Sequence, residues 1–175
     1  MLKQNNKAIL SGLVVLFVVM IYSSYLKSII VSILFIFLSG ISKIYHRYFK
    51  STIGIDFICF LTLMISLVYN NILLSFLVGF AGLIIADVLG TRLSHTSLVS
   101  MIGITAIILA SGLFNRFPLT LSLVVLTLAF EIISVIFYNL LGSSPDKIII
   151  FFVTHFAFNM FLIFTFSGMI ATIMI

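Results

Sequence analysis

Long apolar runs alternate along this chain with short polar turns. The runs cover 8–26, 28–42, 52–69, 72–90, 97–114, 118–141 and 148–174. Crossing a hydrocarbon layer of about 30 Å takes roughly 20 helical residues, so the pattern predicts seven membrane-spanning helices. The run 28–42 is the shortest and is parted from the first only by Lys27. Seven is the preferred count; the alternatives for this run are a re-entrant piece, or one kinked helix with the first run, which leaves six crossings. Between 70 and 95 the sequence NNILLSFLVGFAGLIIADVLGTRLSH opens on a polar pair, runs apolar, and reaches Asp87 shortly before a basic turn with Arg92 and His95. One face of that helix carries Ser75, Gly79, Gly82, Ala86 and Gly90, three or four residues apart. Such a face lets a neighbouring backbone come close, which assigns Gly79, Gly82, Ala86 and Gly90 to helix packing.

Composition turns this pattern into a class. Of 175 residues, 63% are hydrophobic and 7% charged, with a mean hydropathy of +1.40, whereas soluble domains carry about 25% charged residues. Lipid is therefore the solvent, and backbone polar groups must be satisfied inside helices, since the runs are too long and continuous for alternating barrel strands. The expected fold is a single all-α domain, a polytopic transmembrane helical bundle. Cys59 is the lone cysteine and lies in an apolar run, so no disulfide framework or thiol metal site is indicated. The basic start MLKQNNK resembles a signal sequence, but the following run is long and shows no small-residue cleavage site, so an uncleaved first span is expected.

The net charge of +5 does not point to nucleic acid, because the basic residues sit singly or in small clusters at the ends of apolar runs. With seven crossings and a cytoplasmic N-terminus, Lys3, Lys7, Lys43, Arg47, Lys50, Arg92 and Lys147 fall inside, and only Lys27 and Arg116 outside. That bias favours a multi-pass cell-membrane protein in this orientation. The loop KIYHRYFK, 43–50, mixes basic and aromatic side chains in the way of an interfacial segment. Lys43, Arg47, Lys50 and Arg92 are thus expected at the membrane surface or against a partner.

Polar groups inside the runs carry the candidate chemistry. Thr120, Thr127, Glu131, Ser134 and Tyr138 form a stripe on the sixth run, and His155 and Asn159 share a face of the last. Counting about 1.5 Å per residue puts Glu131 roughly 18 Å and His155 roughly 19 Å from the outer surface, so these two are candidate partners. The same count sets Asp56 and Asp87 at roughly 24 and 22 Å, near the cytoplasmic boundary. There they form, with Arg92, either a solute-holding group or a structural ion pair. A carboxylate in the bilayer costs about 2.5–3.5 kcal/mol on insertion scales, so each acid calls for a partner, water or a function.

No HExxH, GxSxG, Walker loop, alcohol-phosphate-transferase acid pair or magnesium-type acid cluster occurs. His46, His95 and His155 differ too much in depth to form one metal site. No catalytic residue, metal or cofactor is assigned, and an enzyme is not expected. From Ile55 to Leu98, Asp56, the polar turn Asn70 and Asn71, and then Gly79, Gly82 and Asp87 resemble two small membrane families: the S-components of energy-coupling-factor vitamin transporters and the rod-shape-determining protein D family. The HFAFN of the last run, ending at Asn159, is similar to their final helix. The first resemblance implies a small-solute-binding transport subunit with an ATPase-linked transport module as partner, and the polar groups converging in depth, Asp56, Asp87, Glu131, His155 and Asn159, are then the expected substrate-binding residues. The second implies a scaffold in an envelope-synthesis complex. A lipid-acting membrane enzyme using Glu131 as base is the third reading. In each case the bilayer is a partner and nucleic acid is not.

Overall fold

A computed structural model describes residues 23, 25–48, 53–91 and 93–175. The segment 8–26, expected as the first span, falls outside them apart from its last residues. Six helices follow one another among the described residues. They are α1 (Tyr25–Arg47, closing in a 3-10 turn), α2 (Ile58–Val68), α3 (Ile72–Leu89), α4 (His95–Ser111), α5 (Leu119–Leu140) and α6 (Pro145–Met174). All but α2 are long and apolar enough to cross a bilayer. Short connections make successive helices run in opposite directions. The C-terminal ends of α1, α3 and α5 therefore meet the N-terminal ends of α2, α4 and α6 at one end of the bundle.

Two corrections to the expected spans follow. The run 28–42 is no fragment: it belongs to α1, which continues past it to Arg47. The short element is α2, whose 11 residues reach only about 16 Å. Hydropathy misreads α2 because a helix apolar on all sides scores alike in lipid and in a protein core. Ile58 to Ser66 are all buried, and α3, α4, α5 and α6 each lie against this helix. α2 is the axis of the bundle. Elsewhere, apolar side chains such as Leu73, Leu109 and Phe164 remain exposed on the outer faces, as lipid-facing positions of an integral membrane protein do.

Capping residues set the helix ends. Asn71 accepts the Leu74 N–H at 3.0 Å to start α3, and Ser94 with Ser97 form a capping box at the start of α4. The turns at the end of the bundle away from α1's close are tied together by Asn115, whose side chain donates to Asn70 at 2.8 Å. The small face of α3 lies at its closest contacts. A Cβ on Gly79 would come within 2.7 Å of Ile104 of α4, one on Gly82 within 2.7 Å of Ser39, and one on Gly90 within 2.9 Å of the Lys43 carbonyl. Ala86 is fully buried on the same face. Gly82 and Gly90 thus let α1 cross α3 at backbone distance, and this crossing carries Lys43 onto the end of α3.

Candidate functional site

Helices α1, α3, α5 and α6 and the segment ahead of α2 supply a polar cluster at the end where α1, α3 and α5 finish. Lys43, at the close of α1, reaches two carboxylates. Its Nζ is 3.1 Å from Asp87 Oδ1 on α3 and 3.7 Å from Asp56 Oδ2 ahead of α2. Both aspartates are buried. Lys43, expected with Arg47 at the membrane surface or against a partner, is paired within the chain to two buried aspartates. Because α1 runs on to Arg47, Lys43 is still held against α3, while Arg47 is exposed. Arg92, the cation expected beside the two aspartates, and Lys50 lie outside the described residues.

Asp56 sits in an extended segment, 53–57, that is fastened from both sides. Tyr45 donates its hydroxyl to the Ile53 carbonyl at 2.7 Å and accepts the Ile55 N–H at 3.1 Å. The Gly54 N–H donates to Thr154 of α6 at 2.9 Å. Asp56 Oδ1 accepts the Ile58 N–H at 3.0 Å, placing its negative charge at the positive end of α2. Gly54 makes the approach to α6 possible, since a Cβ there would stand 2.6 Å from the Cβ of His155. Sequence reading passed over Gly54, and nothing in its neighbours marks it. Gly54→Val is expected to push segment 53–57 off α6 and part Asp56 from His155. The check is a lowered unfolding temperature in detergent, while a Gly112→Val control, at a position where a Cβ meets nothing within 4 Å, stays near wild type.

His155 joins the two acidic levels of the bundle. Its Nε2 is 3.5 Å from Asp56 Oδ1, and its Nδ1 contacts Glu131 Oε1 on α5. The ring stacks on Phe151, with centroids 5.1 Å apart and planes 14° apart, and lies 5.3 Å from the Phe130 ring. Asn159 holds the turn below by donating to the His155 carbonyl at 2.9 Å. Glu131, His155 and Asn159 are all buried, at 0%, 1% and 0% exposure. The connected order is Asp87, Lys43, Asp56, His155, Glu131, an alternation of acid and base running from the bundle end into its interior. Four of the five residues predicted to bind substrate, Asp56, Asp87, Glu131 and His155, belong to this series. The fifth, Asn159, adjoins it.

A cavity of about 780 Å³ opens above the cluster. Lys43, Asp56 and Asp87 line it, together with Ser97 and Ser100 from α4 and Tyr138 from α5. His46 is buried beside it, its ring 4.1 Å from that of Tyr45. A second space of about 10 Å³, between Lys43, Asp56, Cys59 and His155, is the size of one water. Glu131 and Asn159 line neither; they lie deeper, behind His155. No group of three or more His, Cys, Asp or Glu side chains is arranged for a metal ion among the described residues.

Set against known proteins, the chain matches no family model, no curated protein and no solved structure.

Proposed function

We propose that this integral membrane protein binds a small polar solute in the cavity at the end of the helical bundle, as a substrate-binding subunit of a transporter would. The observation that carries the reading is a cavity of about 780 Å³ with charged groups at its floor, within the roughly 300–1,000 Å³ of small-molecule sites. The floor supplies two carboxylates and an ammonium. The wall supplies the hydroxyls of Ser97, Ser100 and Tyr138. This set suits a solute with hydroxyl or amine donors. Packing alone gives little reason to gather so many polar side chains where hydrocarbon would fill the space without desolvation.

The end that holds the cavity also carries Arg47 and Lys147, while Lys27 and Arg116 belong to the opposite end. In the sequence-based topology Lys43, Lys50 and Arg92 are counted on the same side as Arg47 and Lys147, and by that positive-inside bias the cavity faces the cytoplasm. The chain holds no nucleotide-binding motif, so uptake against a gradient calls for a partner ATPase or an ion gradient. Mass spectrometry of small molecules retained by the gently solubilised protein tests the reading. A polar compound present in wild type and lost from Asp87→Asn, at unchanged unfolding temperature, supports it. Identical contents in both, or none in either, remove it.

A further inference from the structure

An imidazole with a carboxylate on each nitrogen can take a proton on one side and release it on the other. His155 has that arrangement, with Asp56 at Nε2 and Glu131 at Nδ1. Asp56 lines the open cavity and the one-water space beside His155, so it is reached from solvent. Glu131 is fully enclosed and lies on the long apolar helix α5. Around it stand buried oxygens with no partner among the described residues: its own Oε2, that of Ser134 one turn away, and Asn159 Oδ1 next to His155. Leaving such atoms unpaired is unfavourable, and packing does not explain them. A neutral Glu131 gains an O–H, a donor for which such acceptors stand nearby.

We propose that Asp56, His155 and Glu131 form a proton path linking the cavity to the centre of the bundle. The inference builds on the reading of the cavity as a water-filled solute site. A proton taken up transiently by the Asp56 carboxylate from cavity water leaves its oxygen for a His155 whose own proton is on Nδ1, and forms the Nε2–H bond. The Nδ1–H bond then breaks, and that proton joins Glu131. Asp56 is left ionised, and the reverse sequence empties Glu131 and returns the ring proton to Nδ1, ready for the next passage. Two protons shift, one is delivered net, and no oxidant or other reactant is needed. The other charged or titratable groups facing the path are Lys43 from α1, Cys59 from α2, Asp87 from α3 and Tyr138 from α5, while α4 presents the neutral Ser100. Lys43 holds Asp56 in place and is a positioning residue.

The chain has four carboxylate side chains in all, which makes infrared difference spectroscopy assignable. In purified protein in nanodiscs, a pH jump is expected to produce a protonated-carboxyl band that Glu131→Gln removes. Asp56→Asn, which cannot pass a proton, is expected to slow its appearance about a hundredfold, the scale set by a positioned proton-transfer group. Should Asp56→Asn fail to fold, His155→Gln tests the same link, and the wild-type band must shift when the protein is moved into D₂O. A Glu131 band that ignores bulk pH and D₂O, or that rises equally fast in folded Asp56→Asn or His155→Gln, overturns the path. No solute enters this measurement, so its failure is separable from failure of the binding experiment.

Discussion

Replacing Lys43 by methionine is expected to destabilise the protein by about 3–5 kcal/mol, the usual consequence of deleting one partner from a buried charge pair. Two aspartates depend on it. Lys43 contacts Asp87 at 3.1 Å and Asp56 at 3.7 Å, with side-chain exposures of 13%, 5% and 7%. Without the ammonium, two carboxylates on the ends of different elements remain close together with no opposing lysine charge. A loss of this size is a large part of the roughly 5–15 kcal/mol that holds a domain folded. The control is the triple change Lys43→Met, Asp56→Asn and Asp87→Asn. Neutral amides no longer repel, so most of the lost stability is expected to return. Denaturant or thermal unfolding in detergent, followed by intrinsic tyrosine fluorescence or circular dichroism, reads both. A single variant as stable as wild type means that Lys43 is not seated between the acids.

Deeper in the bundle, His155→Leu is expected to cost about as much, again about 3–5 kcal/mol, because it leaves the buried Glu131 carboxyl without the side chain it contacts. Glu131 is 0% exposed and its second oxygen is already unpartnered among the described residues. Pairing the change with Glu131→Met puts an apolar contact where the ionic one stood, and the double variant is expected to recover much of the loss. A double-mutant cycle then gives a coupling of about 2 kcal/mol or more, near the top of the range for residues in direct contact. Losses that add without coupling would mean the two side chains act independently. The two experiments probe successive links of one series. Combining Lys43→Met with His155→Leu is expected to be worse than either, since Asp56 touches both bases.

Several parts of the site were legible before any coordinates. Counting rise per residue set Glu131 and His155 at equal depth, and the structure joins them. It also set Asp56 and Asp87 at one level, and both are found on the same lysine. That method works because a membrane helix is a ruler: depth follows from position along it. It says nothing about rotation, so the link from Asp56 to His155 escaped it. Depth counting also spread 52–69 across the whole bilayer, although 53–57 is an extended strap and the helix runs over Ile58–Val68.

The chain's own composition determined the solvent and the class of fold. A sequence 63% hydrophobic with nine basic and four acidic side chains can satisfy its backbone only as apolar helices in lipid. Which apolar helix faces lipid and which forms the axis was decided by tertiary structure, because leucine on a lipid face and leucine in a core look the same in one dimension. Tertiary structure also decided the fate of Lys43. A basic residue at a helix end belongs by default at the headgroups, and only the close crossing of α1 on α3, allowed by Gly82 and Gly90, draws it inward between Asp56 and Asp87.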